Sequence, residues 1–379
     1  MPSRPFHVTV GTTPDNRSRE GVSLARDLEL AKVALLYADR ATLVSPSSNM
    51  LVQMAAFAEA AVSSMSKKQR FDYMAQMAHS LPGAEGLAEL GPLYHALRKK
   101  RHLSPEERRA KLQMEGVVSK AWTQMRDSML TTLDKAGGGE LLSAIDSGLL
   151  DLHPLNLTDP STDGSSDDVV WAFADAIVGA VQDPGTYLLL DDGSGGLLRS
   201  FIREGHLGDV RGGDARGRQV TLAASLFERL PQFDLATLPE VLDIRRDLGR
   251  HVSRFRAAMA EYSEAISTAS WDEEFAADAE TVFIRDVAPA VRDIEDAVAS
   301  TSYLRALTSR FTDRVTGLVP VLSLALTQAP ALPDIVGLAA AGASALGNAY
   351  LAGQEHMDGR RSVERNKMFF YYAAGRSLG

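Results

Sequence analysis

Cysteine is absent from the sequence. Disulfides, thiol nucleophiles, iron–sulfur clusters and cysteine-ligated zinc are excluded with it. Other absences narrow the chemistry further. None of the eight histidines forms an HxxxH or HExxH pair, so a helical zinc site of that kind is ruled out. There is no GxSxG nucleophile elbow, no Lys-Ser/Thr after a glycine-rich loop to make a Walker motif, and no repeat of 20–50 residues. The opening residues MPSRPFHVTVGTT lack the apolar run of a secretory signal, so a cytoplasmic protein is expected. What is present is ordinary for a globular chain: 379 residues, 45% apolar, 23% charged, enough for two or three domains and a sizeable core. A net charge of −9 argues against nucleic acid as a bulk electrostatic partner.

The pattern along the chain begins as β-α-β-α. FHVTVG (6–11) is a short β-rich run, and 22–38 has helical spacing at Leu24, Leu28, Ala31, Leu35 and Ala38. ATLV (41–44) is a second β run, followed by a Ser-Pro-Ser-Ser-Asn turn that caps a helix reaching about Met65. Such alternation implies parallel strands around crossover helices. Ser104-Pro105-Glu106-Glu107 is a strong helix start, and Gly137–Gly139 stop that helix after Lys135. A polar loop at 151–168 marks a boundary or insertion. A helix over 169–181 leads to a third β run, Tyr187–Leu190, and residues 205–218 read as a loop rich in glycine and charge.

Beyond Pro239 the pattern is of long helices. Val241, Ile244, Leu248, Val252, Phe255, Met259, Tyr262 and Ile266 recur at steps of three and four, a coiled-coil-like seam. A second helix, 271–299, carries Phe275, Ala279, Val282, Val287, Val291 and Ile294, with Pro289 expected to kink it. Arg246, Arg250 and Arg254 stack on one face of the first helix, and the second is acidic. Pairing between the two explains both patterns better than a nucleic-acid surface. His251, among these charges, is expected to be solvated.

Two stretches offer ligand chemistry. In YLLLDDGSGGLLRSFIRE (187–204), Asp191 and Asp192 end a strand, Gly193, Gly195 and Gly196 form a turn, and Arg199 lies on the helix that follows from Leu197. Backbone amides at such a helix start attract anions, and the acids are candidates for holding a divalent cation beside a phosphate. In VGTTPDN (10–16), Thr12, Thr13, Asp15 and Asn16 follow a strand, where α/β folds bind ligands. The simpler readings are a solvated surface turn and a plain strand–helix connection. No catalytic residue and no particular cofactor is identified.

The most apolar region is 317–353. Between Arg314 and Glu355 the only charge is Asp334. Small residues recur every four positions at Gly337, Ala341, Ala345, Ala349 and Gly353, a stripe that lets helices approach closely. In DIVGLAAAGASALGNAYLAG (334–353), the five strongly apolar aliphatics give only roughly −2 kcal/mol toward insertion. Burial in a close-packed helix is expected, and membrane contact through 317–353 is the alternative.

Three stretches resemble an uncharacterised group of bacterial proteins of unknown function: LAKVALLYADRATLVSP (30–46), LPEVLDIRRDLGRHVSRFR (238–256) and ERNKMFFYYAAGR (364–376). The first is similar to that group's opening helix and strand, the second to its long helix, the third to its aromatic ending, with Lys367 where the group has proline. The resemblance implies a bacterial source and an α-rich fold, and transfers no activity.

The expected fold is mainly α with a small N-terminal α/β part, few parallel strands, and a C-terminal antiparallel helical hairpin and bundle, divided at 1–230 and 231–379. The expected function is an interaction or scaffold protein, a subunit of a larger assembly with a protein partner or a second copy of itself. The alternatives are a nucleotide- or phosphate-binding enzyme or sensor using 10–16 and 191–196, and a membrane-active helical protein.

Overall fold

The computed structural model describes residues 5–14, 23–76, 87–100, 102–155, 166–208, 210–300 and 363–378. The chain divides into two compact units, Met1–Gly208 and Asp209–Gly379. The division falls earlier than the sequence pattern put it, because 211–227 is a helix of the second unit.

The first unit is α/β. Its elements are β1 (His7–Gly11), α1 (Ala25–Tyr37), β2 (Arg40–Val44), α2 (Pro46–Ser64), α3 (Lys67–Gln76), α4 (Leu87–Lys99), α5 (Pro105–Lys135), α6 (Gly138–Asp146), β3 (Leu150–Leu152), α7 (Ser166–Gln182), β4 (Thr186–Leu190) and α8 (Asp192–Arg203). The four strands form one parallel sheet in the order β3-β2-β1-β4. Val8, Val10, Leu43, Leu188 and Leu189 are buried, as expected for a parallel sheet covered by crossover helices. At one edge His7 bridges three strands, its ring nitrogens 2.9 Å from Thr42 Oγ1 and 3.3 Å from Thr186 Oγ1. At the other edge Gly11, Val44 and Leu190 lie level. The loops after β1, β2 and β4 thus leave the sheet side by side.

Helix α5 has the start its sequence implies. Ser104 accepts from the Glu107 amide, and Glu107 returns a carboxylate to the Ser104 amide, completing a capping box. Its inner face, Met114, Val118, Trp122 and Met125, packs with Phe71, Met74, Tyr94 and Leu97 of α3 and α4. Phe71 and Tyr94 stack at 3.9 Å. This is a second core beside the sheet.

The second unit is helical: α9 (Arg211–Phe227), α10 (Leu238–Ser263), α11 (Phe275–Val282), a π-helical turn (Phe283–Val287), α12 (Ala288–Ser300) and α13 (Phe369–Leu378). The seam residues Val241, Leu248, Val252, Phe255, Met259, Tyr262 and Ile266 are buried, whereas Ile244 is half-buried. The principal neighbours of α10 are α9 and α13, and α11 and α12 pack against these same two helices. The two limbs of the expected hairpin therefore share α9 and α13 as partners. Phe255 is fully buried among Phe227 and Phe370, each ring 5.4 Å away, and Tyr371 at 6.4 Å. Pro289 acts upstream of itself. It has no amide hydrogen and its ring crowds the carbonyl four residues earlier, and the helix widens to a π turn over Phe283–Val287.

Several expectations need correction. Residues 211–218 are helical, not a loop, although three glycines fall in the span. Gly213 and Gly217 are buried, so packing overrides their weak helix propensity. His251 is buried, not solvated. Its ring lies edge-on to Phe369 at 4.7 Å, its Nε2 accepts from Arg250 Nε at 2.9 Å, and burial lowers its pKa. Charges on α10 are balanced partly within the helix, Arg246 with Asp243, and partly by Glu364, which pairs with Arg250 at 3.6 Å. The 317–353 stretch lies outside the described residues. Among those described, no helix is long and apolar enough to cross a membrane.

Candidate functional site

In the order β3-β2-β1-β4 the chain runs outward from β1 on one side and returns on the other. Beside the C-terminal ends of β1 and β4 lies the crevice where open parallel sheets bind ligands. Thr12 and Thr13 leave β1, Asp191 leaves β4, and α8 starts there.

Asp191 joins the two loops. It caps α8 by accepting from the Ser194 amide at 2.7 Å through Oδ1. Its Oδ2 accepts from the Thr13 amide at 2.9 Å and from Thr13 Oγ1 at 3.0 Å. The first turn of α8 is pressed against the β1 loop. A Cβ on Gly193 would collide with Thr13 Oγ1 and lie 3.0 Å from its Cβ and Cγ2, so only glycine fits. The glycines 193, 195 and 196 are thus in the helix itself, not in a turn before it. Helix α8 begins at Asp192, five residues earlier than the sequence pattern placed it.

Beneath this clasp is a buried polar cluster. Asp27, from α1, accepts Ser45 Oγ at 2.6 Å and Ser48 Oγ at 2.5 Å on one oxygen. Ser45 also caps α2 through the Ser48 amide. Asn49 donates to the carbonyls of Ser45 and His153, both at 2.9 Å, and ties the chain after β3 to α2. Burial raises the Asp27 pKa. The Ser45, Ser48 and Thr12 hydroxyls oppose that rise, and the Asp191 charge adds to it. Thr12 Oγ1 helps the Asp27 charge by proximity but lacks hydrogen-bond geometry. It and Ser194 Oγ are buried without a hydrogen-bond partner.

Above the cluster a cleft of about 370 Å³ opens between α7 and α8. Thr13, Pro14, Pro46, Gly193, Gly196 and Ser200 line one part, and Val169, Val170, Phe173 and Leu197 supply apolar walls. Arg199 folds back over Gly196, its Nη2 3.8 Å from where a Cβ would sit. The half-exposed Trp171 ring stands beside Phe201, at 6.3 Å and nearly parallel.

The structure therefore brings together Thr12, Thr13, Asp191, Gly193, Gly196 and Arg199. Asp15 and Asn16 lie outside the described residues. Gly195 is buried in the first turn of α8, and Asp192 is exposed at its first position. Asp191 spends its carboxylate on three protein donors, so it serves as a clasp rather than as an open ligand for a cation. Among the described residues no three His, Cys, Asp or Glu side chains are grouped to hold a metal. Sequence reasoning missed Asp27. The available signal was an acid on an apolar stripe, three residues after Leu24 and four before Ala31.

The Asp27 environment gives a pH prediction. Because its pKa is raised from 3.8, the folded chain holds this proton to higher pH than the unfolded chain does. The stability it contributes is complete below pH 3.8 and is lost as pH rises through the folded-state value. Asp27→Asn keeps an oxygen for Ser45 and Ser48 and removes the charge. Urea melts across pH should give a flatter stability profile for this variant. A profile parallel to wild type would show that Asp27 does not titrate differently on folding.

No family model, curated protein or solved structure matches this chain.

Proposed function

We propose that the protein is a ligand-sensing subunit of a larger bacterial, cytoplasmic assembly, and that the cleft between α7 and α8 is its sensing site. The carrying observation is the Asp191–Thr13 clasp, which draws two loops distant in sequence around one crevice at the sheet edge. A volume of about 370 Å³ lies within the usual range of about 300–1,000 Å³ for small-molecule sites. The lining favours a ligand with an apolar body, set against Phe173, Val169 and Leu197, and one anionic or strongly polar head, set near Thr13 and Ser200, with Arg199 beside the lining residue Gly196. Val170, exposed in the cleft lining, and its exposed chain neighbour Trp171 support the assembly part of the reading, since apolar groups beside a ligand mouth give a partner a surface that responds to occupancy.

The test is a thermal-shift screen of carboxylate and monophosphate compounds. A hit should raise the melting temperature of wild type. It should fail to do so in Gly196→Leu, which fills the cleft where only Arg199 stands near. A hit that stabilises both proteins equally binds elsewhere, and a screen without hits rejects the reading.

A further inference from the structure

A second cleft, of about 440 Å³, lies between α3, α4 and α5, lined by Lys67, Tyr94, Arg98, Leu103, Arg108, Lys111, Leu112 and Glu115. Four of these eight side chains are cations and one is an acid. The acid is already neutralised, because Glu115 pairs with Lys67 at 2.9 Å. Glu107, near the start of α5, is likewise held by Lys100 at 2.6 Å. Among the described residues no carboxylate pairs with Arg98, Arg108 or Lys111. Three unneutralised cations thus converge on one concavity in a chain of net charge −9. Like charges gathered without counter-charges repel one another, and an anionic ligand relieves that repulsion.

We infer that this cleft binds a small organic polyphosphate, with adjacent phosphoryl groups on Arg98, Arg108 and Lys111 and an apolar or planar body against Leu103 and Leu112. The cleft's volume suits a small molecule. Leu112 is 61% exposed and gives the body of such a ligand something to cover. Arginine forks match phosphoryl oxygens in pairs, and lysine adds a mobile point charge. A nucleic acid fits less well. Its contacts would extend past a cleft of about 440 Å³, in a chain whose overall charge of −9 disfavours long polyanions. This site is separate from the sheet-edge cleft, and neither inference depends on the other.

Calorimetric titrations of the full chain test it with adenosine triphosphate, inorganic triphosphate, adenosine and a 20-nucleotide RNA. The two phosphate compounds should bind and adenosine should not. Raising salt from 50 to 200 mM should weaken triphosphate binding at least tenfold. The triple variant Arg98→Gln, Arg108→Gln, Lys111→Gln should lose binding by a hundredfold or more. Arg98 and Arg108 are exposed and Lys111 is half-buried, and circular dichroism checks that the variant folds. Glu115→Gln frees Lys67 and should bind triphosphate several-fold more tightly, an outcome that loss of fold cannot mimic. Gly196→Leu should bind it unchanged. Absence of binding, equal affinity in the triple variant, weaker binding in Glu115→Gln, or RNA binding more tightly than either phosphate compound would overturn the inference.

Discussion

Phe255→Ala is expected to destabilise the second unit by about 3–5 kcal/mol, the cost of truncating a buried phenylalanine whose site collapses only in part. Phe255 has no exposed surface, and its ring meets Phe227, Phe370 and Tyr371, which come from α9 and α13. Losing it opens a void shared by three helices, so relaxation of any one of them closes only part of it. Against a typical domain stability of about 5–15 kcal/mol, that loss is large. The measurement is a urea melt followed by near-ultraviolet circular dichroism. A shift below about 1 kcal/mol would mean that the seam faces solvent rather than a core. Phe255→Leu keeps most of the volume and should lose much less.

The second large effect is expected at Asp191. Asp191→Ala removes a helix cap, typically about 0.5–2 kcal/mol, and leaves the Thr13 amide without its partner. Thr13 is half-buried, so water recovers part of the hydrogen bond. Together the two losses come to roughly 2–3 kcal/mol. Asp191→Ser separates the roles. Serine caps α8 but is too short to hold Thr13 as well, so it should restore most of the stability and little of the ligand response. If Asp191→Ser responds to ligand like wild type, the clasp does not shape the sensing cleft.

The sequence was most readable where local chemistry decides structure. The Ser104–Glu107 capping box fixes the start of α5 within four residues, and the α10 seam repeats often enough for its buried face to be read directly. Pro289 pointed to a disturbed helix, although not to the π turn that absorbs it. Legibility failed where distant parts of the chain decide. Residues 211–218 look like a glycine loop until burial of Gly213 and Gly217 is known. The three-residue β3 is too short to carry an alternating pattern, and only pairing with β2 makes it a strand. His251 has charged neighbours along the chain, but Phe369 covers it in space. At the site, each loop could be picked out alone, whereas the hydrogen bonds joining them span 178 positions. The basic cleft mixes residues from three helices, two of which have no distinctive pattern.

That long span has a consequence for biogenesis. Strand β1 is central in the finished sheet, but its partner β4 is made last of the four strands. With 178 positions between Thr13 and Asp191 and synthesis at about 5–20 residues per second, one side of HVTVG waits roughly ten to forty seconds for its neighbour. Through that interval the nascent chain carries an apolar strand edge open to any other extended segment. A chaperone that shields short β edges during translation, or a slower passage through the intervening helices, would therefore decide how much of this protein reaches its native sheet.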